Sequence, residues 1–306
     1  MKQNKKPITL KKSYEYVVKI IKKEQEILFP VLKLLPDKKF LAVCTLYSFQ
    51  SYLNNYISKT KQKTKDVHES LLVLKQSILS YSTQSLDEPW WPAFVDTLNT
   101  YAISPKYLLL QIDSKLLDFE YPRIDSLQDL LDYCKLSGGA TILTYLPVLV
   151  ESRATLRSQE FISTYEELGI AIYFTKILRD VGEDLRNKNR IYLPDDFLKV
   201  HQISKIELKA LANQPKSKHV LDQIPRSFIN LWESLATIAS KHYKSYKDYL
   251  PLIDKDARIP LVTIAKIHES TLDCIRQERY NCFTKRCEIS SKLRKQTLDF
   301  VLTQFS

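Results

Sequence analysis

Glycine is scarce in this chain: four residues in 306. That excludes glycine-rich phosphate loops of the Rossmann and P-loop kind, and any long series of hairpins that turns through positive φ. Helical periodicity fills the space instead. In residues 14–35 Val17, Val18, Ile20, Ile21, Ile27, Leu28, Val31 and Leu32 recur at steps of three and four with lysines between them, predicting a helix that kinks or breaks at Pro30. Pro36-Asp37 is a helix-start signal, and Phe40, Val43, Leu46, Tyr47 and Leu53 continue the next helix. Further amphipathic segments are expected over 67–81, 93–101, 105–119, 126–149, 158–186, 204–213, 229–249, 257–278 and 289–305. Residues 59–66 read as a charged loop, 82–92 as a polar stretch and 209–225 as an internal loop. Strand patterns are absent or short, and apolar helical faces continue on both sides of the 209–225 loop. The expectation is one all-α domain of ten or more helices over residues 13–306, after a basic tail at 1–12.

Apolar residues make up 44% of the chain, enough for a packed core rather than a disordered chain. No apolar run approaches the roughly 18 residues that would span a bilayer, and no apolar segment follows the lysine-rich start, so neither a membrane span nor a signal peptide is expected. Five cysteines without a C-x-x-C pair fit a reducing cytoplasm better than disulfides or zinc. The net charge of +11, from 46 basic and 35 acidic residues, favours anionic partners: phosphorylated small molecules, the inner face of an anionic membrane, or nucleic acid. No nucleic-acid-reading motif is visible, which makes nucleic acid the weakest of these.

The chemistry concentrates in residues 169–194. Asp180 and Asp184 stand four apart, which on a helix projects both carboxylates from one face, with Arg179 beside them. Two oxygen donors at that spacing suit Mg²⁺, which takes one or two carboxylates and completes its shell with water and phosphate oxygens. Spacing alone favours an ordinary solvated pair. The apolar context of Ile170, Ile172, Phe174, Ile177, Leu178 and Val181 favours a site.

The string Ile177-Leu-Arg-Asp-Val-Gly-Glu-Asp184, followed by Arg190-Ile-Tyr-Leu-Pro194, resembles the second aspartate-rich motif of the squalene/phytoene synthase family, and of bacterial dehydrosqualene and phytoene synthases in particular. Other landmarks are similar in order along the chain. They are Leu34-Leu-Pro36 with 42–47, then Asp113, Asp118 and Leu130-Leu-Asp-Tyr-Cys134 with Gly138-Gly139, and finally Ala257-Arg258 and Arg279-Tyr280 through Lys285-Arg286. The resemblance implies an all-α isoprenoid-synthase fold with a central cavity. There two prenyl diphosphates, farnesyl or geranylgeranyl, condense head to head with three Mg²⁺ held between two aspartate-rich motifs. It also implies catalytic roles for Tyr47, Asp180 and Asp184, the two aspartates as metal ligands. Lys176, Arg179, Arg190, Tyr192, Lys285 and Arg286 are the residues expected to meet the substrate.

The chain departs from that pattern where the metals would bind. The first aspartate-rich motif keeps Tyr47 and Phe49. Its basic residue has become Ser51, and its three carboxylate positions have become Asn54, Asn55 and Ser58. A serine-rich segment upstream is replaced by residues 25–28. In the second motif Lys176 stands where the family carries a metal-ligating asparagine, Tyr173 where it carries a glutamine, Lys135 where a tyrosine follows Tyr133-Cys134, and His268 at a late helix tyrosine. Together Asn54, Ser58 and Lys176 make the site about three charge units more positive than the family pattern. Lys176 is expected to pair with Asp180 one turn on.

Three functions follow. The first is a family member that has lost or strongly reduced the Mg²⁺-dependent condensation, binding a prenyl diphosphate or serving an active paralogue. The second is an active synthase making dehydrosqualene, squalene or phytoene with Mg²⁺. The third is a basic helical adaptor at a membrane surface or on nucleic acid. Among other conspicuous residues, Trp90-Trp91 is expected to anchor a loop on the core, Cys134 to be small and buried, and Glu183 to face away from the aspartate pair. His68, His201, His219 and His242 lack ligand spacing.

Overall fold

The computed structural model describes residues 8–26, 28–59, 64–83, 85–120, 123–215 and 224–305. Parts of the basic start (1–7), of the charged run (60–63) and of the internal loop (216–223, with His219) lie outside the described residues, as does the side chain of Ser58. Among the described residues there are fifteen α-helices and no strand, as the all-α expectation required. The first eight are α1 (Leu10–Glu24), α2 (Phe29–Leu32), α3 (Asp37–Lys59), α4 (Thr64–Leu79), α5 (Trp91–Tyr101), α6 (Pro105–Glu120), α7 (Leu127–Cys134) and α8 (Ala140–Leu149). After them come α9 (Gln159–Arg179), α10 (Val181–Lys188), α11 (Asp195–Val200), α12 (Lys205–Ala212), α13 (Arg226–His242), α14 (Lys255–Gln277) and α15 (Ser291–Phe305).

Local signals explain most boundaries. Thr9 caps α1, which takes Lys11 and Lys12 into the first helix. The break foreseen at Pro30 comes earlier: α1 stops at Glu24, and Pro30 sits in the opening turn of the short α2, where its missing N–H costs nothing. Pro36-Asp37 starts α3 as expected. The segment expected as one helix over 126–149 is divided by a π-helical turn at Lys135–Gly139. The segment 158–186 breaks at Asp180, whose φ of −98° and ψ of 13° end α9 and begin α10. Helix α11, opened by Pro194 with Asp195 and Asp196 in its first turn, was not foreseen.

All four glycines serve close packing, and none has positive φ. A Cβ on Gly138 would lie 2.1 Å from the Gly169 carbonyl oxygen, and one on Gly169 would lie 2.3 Å from that of Gly138. Helix α9 therefore touches the π-helical turn backbone to backbone. Gly182 packs equally tightly on the Phe283 backbone and donates its N–H to the Cys282 carbonyl at 3.0 Å.

Helix α9 is the axis of the molecule because it is buried nearly all round, as an all-sided apolar helix must be. Phe161, Tyr165 and Leu168 join the core formed with α1, α3, α5 and α8, while Phe174, Ile177 and Leu178 join a second core with α13 and Phe283. Trp90 and Trp91 anchor their loop as expected: both are buried, and the Trp90 ring meets Phe94 at 5.1 Å and Phe49 at 6.1 Å. Cys134 is fully buried. Among the described residues, no helix is long and apolar enough to cross a membrane.

Candidate functional site

A cavity of about 500 Å³ opens between α1, α2, α3, α8, α9, α14 and the segment before α15. Its walls are largely apolar, with Leu32, Leu35, Val43, Ile142, Leu261 and Ile264 among them. Two polar groups of residues interrupt that lining.

The first lies on α9, α14 and the segment after α14. Lys176, Arg179, His268 and Arg286 all line the cavity. Arg179 donates from Nε and Nη2 to the two carboxylate oxygens of Asp180, each at 2.7 Å. The Nε of Arg286 stands 3.4 Å from the same carboxylate and 3.6 Å from the half-buried Glu183. Burial pushes the Asp180 carboxyl up, but the Arg179 contacts, with Arg286 and Lys176 nearby, outweigh it and hold Asp180 below the usual carboxylate range. Asp184 goes the other way: burial raises it, and the 2.6 Å contact from Lys188 does not offset the cost.

Lys176 does not form the expected pair with Asp180. The helix ends at Asp180, which brings the neighbouring Arg179 onto the carboxylate, and the Lys176 ammonium lies instead 5.4 Å from the Tyr173 ring centre. Its accessible surface opens into the cavity, yet protein crowds it. Burial lowers its pKa, the Lys115 charge adds to that effect, and Tyr173 and Asp180 only partly oppose it. His268 is lowered to about 4 by burial and by the charges of Arg179 and Lys176.

The second polar group joins α1 to α3. The Ser51 hydroxyl donates to a Glu24 carboxylate oxygen at 2.6 Å, Tyr47 donates to it at 3.2 Å, and Gln25 donates to the Tyr47 hydroxyl at 3.0 Å. Asn55 donates to Ser51 at 3.0 Å and to Glu24 at 3.4 Å. Asn54 is exposed and lines the cavity. Glu24 is a site residue the sequence reading missed. Its partners lie about 27 positions away, so only its place next to the altered 25–28 segment could have drawn attention to it.

Three expected substrate contacts are placed elsewhere. Arg190 and Tyr192 do not line the cavity; both engage Asp118, Arg190 at 3.1 Å and the Tyr192 hydroxyl at 2.8 Å, within a buried cluster that includes Tyr133. Lys285 is exposed and pairs with Glu278 at 2.7 Å.

The sequence pattern described as squalene/phytoene synthase matches residues 22–292. The chain belongs to the squalene/phytoene synthase family. It is similar to the 4,4'-diapophytoene synthase of Staphylococcus haemolyticus, at 25% identity over 281 residues that cover 89% of this chain and 90% of the relative. It is likewise similar to the phytoene synthase of Arthrospira platensis, at 25% identity over 291 residues covering 92% and 90%. A crystal structure of a dehydrosqualene synthase in complex with ligand superposes with a TM-score of 0.83 at 25% identity, covering 96% of this chain and 97% of that one. The fold expectation and the family resemblance are both confirmed.

This family normally works with Mg²⁺ on prenyl diphosphates. The residues of this chain do not fit a metal cluster. Both Asp180 oxygens are taken by Arg179, and one Asp184 oxygen by Lys188. On α3 the donors at the family's carboxylate positions are amides, with Asn55 already bound to Glu24 and Ser51. Among the described residues no group of three or more His, Cys, Asp or Glu side chains comes together to hold a metal.

Proposed function

We propose that this member of the squalene/phytoene synthase family binds a prenyl diphosphate through cationic side chains, and that magnesium-dependent head-to-head condensation is lost or strongly reduced. The observation that carries this reading is the neutral first motif, where Asn54 and Asn55 stand at carboxylate positions and Asn55 is bound to Glu24 and Ser51, with the cation Lys176 lining the cavity. The apolar walls suit a prenyl tail, farnesyl or geranylgeranyl. Lys176, Arg179 and Arg286, all on the same cavity, offer phosphate oxygens charge-assisted hydrogen bonds that need no metal. In this reading Tyr47 positions Glu24 and Gln25, and the chain acts as a carrier or as the partner of an active paralogue.

Calorimetry of farnesyl diphosphate binding, in magnesium and in a chelator, tests it. Binding is expected to persist in the chelator and to weaken about tenfold in Lys176→Gln, the loss of one charged hydrogen bond. The near full-length similarity to diapophytoene and phytoene synthases supports the other reading, an active synthase. Binding only with magnesium, or diphosphate release that collapses in Asp180→Ala, would establish that one instead.

A further inference from the structure

Lys176 has a property that anion binding does not use. It lines an apolar cavity, and among the described residues no carboxylate pairs with it, because Arg179 occupies Asp180. Its charged neighbours are the cations Lys115 and Arg179 and the anion Asp180, which Arg179 already holds, and its ammonium lies 5.4 Å from the Tyr173 ring centre. Burial and the two cations favour the free amine. A lysine that faces an apolar cavity beside a second cation is the arrangement that makes an amine nucleophilic toward carbonyl carbon.

We propose that Lys176 forms a Schiff base with a long apolar aldehyde held in this cavity. The Nζ lone pair adds to the carbonyl carbon, the C=O π pair moves to oxygen and takes up a proton, and the nitrogen gives one up, leaving a carbinolamine. The nitrogen lone pair then forms the C=N bond as the hydroxyl, protonated, departs as water. Amine and aldehyde thus give imine and water, with no change of oxidation state. Tyr173 is the hydroxyl at hand for these transfers. It lies 3.5 Å from the Tyr133 hydroxyl, which donates to Asp118 at 2.7 Å, so a proton can be relayed away from the cavity. The apolar walls select a long hydrocarbon tail, and the amine selects the aldehyde over the corresponding alcohol or acid.

This inference does not rest on the diphosphate reading. The test is incubation of the full chain with farnesal, trapping with sodium borohydride, intact mass and peptide mapping. The expected result is one adduct per chain, heavier by one aldehyde less one oxygen atom, located on Lys176. It should form faster than on lysines outside the cavity such as Lys19 and Lys22, because a lowered lysine holds more free amine and the cavity holds the aldehyde beside it. Lys176→Gln and Lys176→Arg should abolish it, and Lys115→Gln should slow it several-fold. The wild-type map is decisive even if a variant misfolds. No adduct, adducts spread over surface lysines, an adduct of unchanged amount in Lys176→Gln, or a borohydride-independent adduct on Cys287 would each overturn the proposal. Trapping on Lys176 that excess farnesyl diphosphate fails to suppress would uphold the Schiff base while counting against the diphosphate site.

Discussion

Arg179 holds Asp180, its neighbour in the chain, by both carboxylate oxygens at 2.7 Å, and the pair is buried at the junction of α9 and α10. Removing Arg179 leaves the Asp180 charge with the looser Arg286 contact at 3.4 Å and the more distant Lys176. Arg179→Gln is therefore expected to destabilise the fold by about 3 kcal/mol. Arg179→Gln combined with Asp180→Asn should recover part of that loss, because no uncompensated buried charge remains. Urea denaturation of the two single variants and the double variant measures it. Additive losses would contradict the coupling.

The two aspartates of this motif should respond to pH with opposite sign. Asp180 is lower in the folded chain than in the unfolded one, because the Arg179 contacts outweigh burial. Its stabilisation is thus present above the unfolded carboxylate value of about 4 and is lost only as pH falls through the lower folded value. Asp180→Asn should destabilise at pH 7, and its gap to wild type should close only in stronger acid. Asp184 is raised, chiefly by burial, so folding is favoured by its proton and its ionised form is a cost at pH 7. Asp184→Asn is expected to be neutral or stabilising at pH 7, with the half-exposed Lys188 turning to solvent. Urea midpoints at pH 7 and in acid decide it; an Asp184→Asn loss equal to that of Asp180→Asn would refute the assignment.

What was legible in the sequence was local. Pro36-Asp37 marks a helix start because proline and an acidic residue suit only that end of a helix, and the Trp90-Trp91 pair has too much apolar surface to stay outside. The break at Asp180 was hidden, because apolar residues continue through it at helical spacing. It is imposed by Gly182 docking on the Phe283 backbone about a hundred residues later. That break also undid the expected Lys176–Asp180 pair, since residues four apart face each other only while the helix continues. Glu24 escaped notice for the same kind of reason: its partners Tyr47, Ser51 and Asn55 belong to another helix.

The contact between α9 and the π-helical turn was equally non-local, and it makes a sharp prediction. A methyl at residue 169 would meet the Gly138 backbone at 2.3 Å, and backbone cannot step aside. Gly169→Ala should cost about 1–3 kcal/mol or more, typical of forced overpacking. A methyl at residue 139 first meets the Glu166 side chain at 2.9 Å, which can rotate away, so Gly139→Ala should cost less. Thermal melts followed by circular dichroism compare the two; equal losses would mean that the backbone contact is not the cause.

Diphosphate binding in the cavity should be coupled to proton uptake. His268, with a pKa of about 4, is neutral near pH 6 because burial and the charges of Arg179 and Lys176 oppose its protonation. Lys176 is depressed below the ordinary lysine value mainly by burial. A polyanion placed among these groups favours the protonated form of each, so both values rise on binding and affinity increases as pH falls. Near pH 6 the uptake comes from His268, and at more alkaline pH from Lys176. Calorimetry of farnesyl diphosphate binding in two buffers of different ionisation enthalpy reads the number of protons directly. His268→Gln should reduce the uptake at pH 6 and leave the alkaline part, while Lys176→Gln should do the reverse. Farnesol, with the same tail and no phosphate, should bind without uptake. Proton-neutral binding of the diphosphate would place its phosphates away from this cationic group and remove the basis for a metal-free site there.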